Sequence, residues 1–141
     1  IWSIYQESSL FPKFVEDKVS ISKKNVLRGL HGDFKTWKLV TCLYGEFFLA
    51  VVDIRKDSKT YNKTKTFLVS HKNPKLILIP SGCLNGHLCI SDECVFYYKW
   101  SELYNGPDNQ ITARWDEPKY HIKWPIDNPF LSERDKDAKF L

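Results

Sequence analysis

The 141 residues read as a single all-β domain, a sandwich or jelly-roll barrel. Aromatic residues make up 15% of the chain, a share that suits pleated, half-buried surfaces. Short runs rich in Val, Ile, Phe, Tyr and Thr recur, broken by Gly, Asn, Asp and Pro at intervals of about 8–12 residues. No helical period is convincing before the C-terminal end. So many strands in one flat sheet would leave long edges and an unburied face, so they are expected to close on one another. A chain of this length buries roughly two thirds of its unfolded surface, so residues 1–141 need no second domain. The missing initiator methionine implies that a short stretch precedes Ile1.

Strands are expected over 13–19, where Phe14, Val15 and Val19 lie, and over 26–31, which ends in Arg28-Gly29-Leu30-His31. The runs 37–44 and 46–55 flank Tyr44-Gly45-Glu46, a hairpin turn. Further strands follow over 64–69 and 76–79, the latter closed by the turn Pro80-Ser81-Gly82. The last two are 87–91 and 95–100. After Tyr104 the chain becomes irregular and Pro-rich through Trp115-Asp116-Glu117-Pro118 and Ile122-Lys123-Trp124-Pro125. This tail is expected to wrap the barrel and end in a short helix over 132–138, with Ser132 as N-cap and Glu133 and Asp135 in its first turn.

The net charge of +4 is spread along the chain, which argues against nucleic acid as a partner while allowing a local anionic ligand. Cys42, Cys83, Cys89 and Cys94 fall in expected strands without CxxC spacing, so buried thiols in a reducing cytoplasm fit better than a disulfide framework or a zinc site. The apolar runs are far short of the ~20 residues that span a bilayer.

Chemistry concentrates in Asn25-Val26-Leu27-Arg28-Gly29-Leu30-His31-Gly32. Histidine is the side chain whose ordinary pKa lies near neutrality, and arginine's planar fork suits phosphate, although a basic surface loop would look the same. A jelly roll with histidines also raises a metal site, but the spacing fails. His31 is followed by Gly32-Asp33, and the slot three residues after Gly82 is Asn85, with His87 displaced by two. His71 and His121 are expected at the surface. Of the neighbours Tyr97 and Tyr98, one points into the barrel, as a reactive phenol or simply as a satisfied core tyrosine. Lys38, in an apolar strand, needs a counter-charge, which a bound anion or an enolate oxygen would supply.

With those residues in view, the chain resembles the dTDP-4-dehydrorhamnose 3,5-epimerase family of nucleotide-sugar enzymes from about Phe14 to its last residue. The matching blocks include Phe14-Val15-Glu16-Asp17, Val26-Leu27-Arg28-Gly29-Leu30-His31, Lys38-Leu39-Val40, Val52-Asp53-Ile54-Arg55, Phe96-Tyr97-Tyr98-Lys99 and Leu131-Ser132-Glu133-Arg134-Asp135. The resemblance implies a metal-free, cofactor-free cupin-type jelly-roll barrel that dimerises by exchanging N-terminal strands. It implies that His31 is the catalytic base, oriented by Asp135, and that Tyr98 is the acid on the opposite face. It places Lys38 against the keto oxygen, and Arg28 on the pyrophosphate or sugar. The reaction would remove a proton beside a 4-keto group and return one to the other face through an enolate.

Departures cluster where nucleotide and sugar would lie. The family's Ala-His-Gly is Leu84-Asn85-Gly86 and its substrate-contacting Gln-Asp-Asn is Glu16-Asp17-Lys18. The acidic residue between the late tyrosine, Tyr104, and Trp115 becomes Gln110, and the lysine before the C-terminal Asp becomes Arg134. Asn85, Glu16, Asp17, Lys18, Tyr104, Gln110 and Arg134 are therefore expected to bind substrate. These departures bear on the substrate and not on the reaction type: a dTDP-4-keto-6-deoxyhexose or a GDP-4-keto-heptose fits, epimerised at carbon 3, carbon 5 or both. The expectation is a cytoplasmic homodimeric epimerase for bacterial surface polysaccharides, of the capsule or lipopolysaccharide kind, away from nucleic acid and membrane. The competing reading is a cupin-like nucleotide-sugar binding protein without turnover.

Overall fold

The computed structural model describes residues 3–141; Ile1 and Trp2 of the expected domain lie outside the described residues. The chain forms β1 (Glu16–Lys23), β2 (Leu27–Gly32), β3 (Lys38–Tyr44), β4 (Glu46–Asp53), β5 (Thr64–Ser70), β6 (Ile77–Ile79), β7 (Cys83–Cys89), β8 (Glu93–Trp100), β9 (Ile111–Thr112) and α1 (Glu133–Lys136). One antiparallel sheet runs β1-β8-β3-β6 and the other β5-β4-β7-β2-β9. The architecture is the expected cupin-type jelly roll.

Local chemistry fixes how strands change sheets. Gly45, at φ 73°, turns β3 into β4, and a Cβ there would run into the Glu93 carbonyl. Between the sheets, Val40, Phe47, Leu49, Ile79 and Phe96 form the main core. On the outer side of the five-stranded sheet, Leu30, Val52 and Leu84 are covered by Ala113 and Tyr120 of the tail. All four cysteines are buried.

Several expected boundaries need correction. The first strand begins at Glu16, not residue 13, and continues to Lys23. The strand expected over 87–91 spans Cys83–Cys89, and every residue of β7 is buried. The two-residue β9 was not expected, and it pairs with β2 through His31 and Thr112. The helix is a single turn, Glu133–Lys136, with Ser132 Oγ accepting from the Asp135 amide as anticipated. The tail returns to β2 through the bridge Val26–Phe130, with Leu27 N donating to Phe130 O at 2.9 Å. That return sets α1 beside β2.

Candidate active site

A cavity of about 330 Å³ lies between the two sheets. β2 supplies Arg28 and His31, although residues three apart on a regular strand face opposite ways. A register break between them restores a common face: Gly29 takes φ 126°, and its missing Cβ lets it pack on Gly86. β7 adds Asn85 and His87, two residues apart and so on one face. From the opposite sheet come Lys18 and Ser20 of β1, Lys38 of β3, and Phe96, Tyr98 and Trp100 of β8. Tyr104, Gln110, Ser132, Arg134 and Asp135 close the rim.

His31 Nε2 lies 2.5 Å from Asp135 Oδ1, and the Gly29 amide donates to the other carboxylate oxygen at 3.4 Å. Burial alone would raise the Asp135 carboxyl. The hydrogen bond and charge of His31, with Ser132 and Gly29, outweigh it and hold the group below the ordinary carboxylate range. Asp135 therefore stays ionised and fixes the imidazole, leaving Nδ1 as the nitrogen free to act. Tyr98 is half-buried between Phe96 and Trp100, at centroid distances of 5.0 and 5.7 Å, and its burial pushes the phenol up. A raised phenol remains a proton donor at neutral pH.

Lys38, from the four-stranded sheet, reaches across to the other: Nζ donates to Asn85 Oδ1 at 2.8 Å and to the His31 carbonyl at 3.2 Å. These partners are neutral. Burial lowers its pKa to about 8, the charge of Asp33 opposing and those of Arg134 and Lys18 reinforcing the shift. An oxyanion forming beside this ammonium would gain a partner in a site of low dielectric.

Arg28 is exposed at one side, with Nε donating to Ser22 Oγ at 3.0 Å. Lys18 stands over Tyr104, 3.6 Å from the ring centroid, and Arg134 donates to Thr112 Oγ1 at 2.6 Å and to Gln110 Oε1 at 3.5 Å. Two expected residues are not in the lining. Asp17 alternates with Lys18, so it faces outward, 57% exposed, and pairs with Lys99. Glu16 is spent on the loop, where Oε2 accepts from the Tyr104 amide at 2.7 Å. Conversely, Ser20, His87, Phe96, Trp100 and Ser132 line the cavity without having been singled out as substrate residues. Strand alternation, counted from Lys18, Asn85 and Tyr98, would have found the first four. Among the described residues, no three His, Cys, Asp or Glu side chains come together as a metal cradle.

A carboxylate-held imidazole on one sheet, a phenol on the other and a buried ammonium reaching across define an isomerase site on a cupin jelly roll. The family model described as dTDP-4-dehydrorhamnose 3,5-epimerase matches residues 3–141. The dTDP-4-dehydrorhamnose 3,5-epimerase of Methanothermobacter thermautotrophicus is 40% identical over 99% of this chain and 77% of its own length. The Legionella pneumophila dTDP-6-deoxy-D-glucose-3,5-epimerase, solved with dTDP-4-keto-L-rhamnose, superposes with a TM-score of 0.86 at 35% identity, covering 92% of this chain and 70% of that one. ChmJ, a 3'-monoepimerase of Streptomyces bikiniensis solved with dTDP-quinovose, gives a TM-score of 0.84 at 26% identity, covering 92% and 66%. The chain belongs to the dTDP-4-dehydrorhamnose 3,5-epimerase family, and it is an epimerase of the isomerase class.

Proposed function

We propose that this protein epimerises a dTDP-linked 4-keto sugar at carbons 3 and 5, supplying nucleotide sugar for polysaccharide assembly. The observation that carries this reading is the opposition of His31 and Tyr98 on facing sheets of one sugar-sized cavity. The keto group acidifies the flanking C–H bonds. His31 Nδ1 takes one of these protons and becomes an imidazolium stabilised by Asp135. The electron pair moves onto the C4 oxygen, where the Lys38 ammonium supplies the missing charge. Tyr98 then delivers its proton to the carbon from the opposite face, and exchange with water resets both groups. Base, acid and oxyanion site are thus all side chains of this chain.

Lys18 and Arg134 supply positive charge that suits the diphosphate, and Arg28 suits the oxygens of the sugar. β1 is an edge strand whose outward face carries exposed Val19 and Ile21, with Val15 just before it, and these apolar residues support a homodimer built on that edge. For membrane contact, no helix among the described residues is long and apolar enough to span a bilayer.

The test is exchange in deuterated water with dTDP- and GDP-linked 4-keto sugars, read by NMR. The expected result is deuterium at C3 and C5 of a dTDP sugar with inverted configuration, abolished in a folded His31→Asn variant. If no sugar in the panel gains deuterium at either carbon, the reading fails; exchange only with a GDP sugar corrects the nucleotide.

A further inference from the structure

The described residues contain three buried side-chain polar atoms without a hydrogen-bond partner, Ser20 Oγ, His87 Nε2 and Trp100 Nε1, and all three residues line the catalytic cavity. Native proteins keep few such atoms because each costs free energy. Three around one sugar-sized space point to bonds that a ligand completes. Trp100 stands edge-on to the exposed Tyr104. His87 is the cross-strand neighbour of Arg28. It is 4% exposed, stacked on Phe96 at 4.0 Å and 11°, with Phe47 at 5.5 Å. Ser20 lies beside Phe96 across the β1–β8 pair and so reaches the same level from the facing sheet.

We propose that His87 is a specificity-determining residue whose Nε2, with Ser20 Oγ, binds a hydroxyl on the exocyclic arm at C5 of the sugar, so that the preferred substrate carries an oxygenated arm in place of a bare methyl. This deepens the epimerase reading above and rests on it. C4 lies across the ring from C1, so a diphosphate held by Lys18 and Arg134, beside Tyr104 and Gln110, turns C4 and the substituents of C3 and C5 away from those residues. With the C4 oxygen at Lys38 and Asn85, His87 stands two residues further along β7, about 7 Å on. A hydroxyl borne directly on C3 stays beside the C4 oxygen. A hydroxyl on the C5 arm reaches further. Burial, helped by the charges of Arg28 and His31 and opposed by Asp135, lowers His87 to about 3, so its ring stays neutral and offers one donor and one acceptor. Such a group recognises a hydroxyl and is too weak a base for the proton transfer itself.

The test is calorimetric binding of two matched pairs, dTDP-glucose with dTDP-6-deoxyglucose and GDP-mannose with GDP-6-deoxymannose, to wild type, His87→Phe and Ser20→Ala. In at least one pair, wild type should bind the 6-hydroxyl sugar about tenfold or more tightly than its deoxy partner, because a site built for a hydroxyl rejects the analogue lacking it. His87→Phe keeps the stack on Phe96; it should bring the pair within about twofold, leave the deoxy sugar's affinity unchanged and melt no lower than wild type. Ser20→Ala should reduce the preference in the same direction and provides the reading if His87→Phe fails to fold. No wild-type preference in either pair, a preference that survives both variants, or equal loss on both members of a pair overturns the proposal. Deuterium exchange with 4-keto sugars separates this outcome from failure of the epimerase reading, since wild type would still exchange.

Discussion

Replacing Lys38 with Met should stabilise the fold while abolishing turnover, and one buried ammonium accounts for both effects. The side chain is 3% exposed, and its hydrogen-bond partners, Asn85 Oδ1 and the His31 carbonyl, carry no charge. Its pKa falls from 10.5 to about 8 because burial disfavours the charged form. A change of that size corresponds to about 3 kcal/mol of instability in the charged folded state. Below pH 8 the whole cost is present. Between pH 8 and 10.5 the unfolded chain holds a proton that the folded chain has released, so wild-type stability rises with pH across this window. Methionine has no such dependence. Urea unfolding should therefore show wild type gaining on Lys38→Met by about 2–3 kcal/mol between pH 7 and pH 10. At pH 7 the variant leads by whatever remains of the 3 after the two freed acceptors lose about 1 kcal/mol each, less where water in the cavity replaces the ammonium. The same ammonium must be charged to hold an enolate, so wild-type kcat/KM should fall as pH rises through about 8. Parallel stability curves for the two proteins, or undiminished activity at pH 9.5, would refute the reasoning.

Asp135→Asn should lower kcat by about 10²–10⁴ while leaving KM near wild type, because the amide neither fixes the tautomer of His31 nor stabilises its protonated form. The wild-type carboxyl is held low in the fold, so its stabilising effect is complete above the ordinary carboxylate range and is lost as pH falls through and below about 4. Acid unfolding of the two proteins should converge there. Tyr98→Phe should retain deuterium exchange, since His31 still removes a proton, while inversion is lost; NMR of the recovered sugar distinguishes the two. Arg28→Gln should raise KM with little change in kcat, the pattern of lost ground-state binding, in steady-state assays at several salt concentrations.

The strands were legible because aromatic and β-branched runs alternate with turn residues, whereas the sheet order comes from the structure. What escaped the sequence reading escaped for definite reasons. β7 begins at Cys83, four residues before the expected strand, and the tail covers Leu84 on its outer face. The β2 bulge reverses the face on which Arg28 would otherwise point, so a strict period of two would have set it opposite His31. Asp135 looks like ordinary helix-start chemistry, and only the resemblance set it beside His31; the Val26–Phe130 bridge is what brings the last turns over β2. His87 failed as a metal ligand by spacing, and nothing local suggests that its neutral ring is left without a partner. The motif blocks pointed to His31, Lys38, Tyr98 and Asp135, which line one cavity with Lys18, Asn85, Tyr104, Gln110 and Arg134, whereas Ser20, His87, Phe96 and Trp100 had to wait for three-dimensional neighbours.

Inverting a carbon centre requires two groups that never share a face of the substrate, and a jelly roll supplies this through its connectivity. β2 and β8 belong to different sheets, so groups on their inner faces are held apart by the packing of the whole barrel. The arrangement has a thermodynamic consequence. Lys38, His87, Ser20 and Trp100 each leave charge or hydrogen-bonding capacity unmet in the free protein, and elements remote from the cavity must offset this. Asp53 is one: it accepts from Arg55, Ser58 and Thr60, and those bonds, led by Arg55, hold its carboxyl far below the ordinary range. The buried Asp53 cluster and the core around Phe47 contribute stability, while the cavity between the sheets keeps polar groups ready for a sugar.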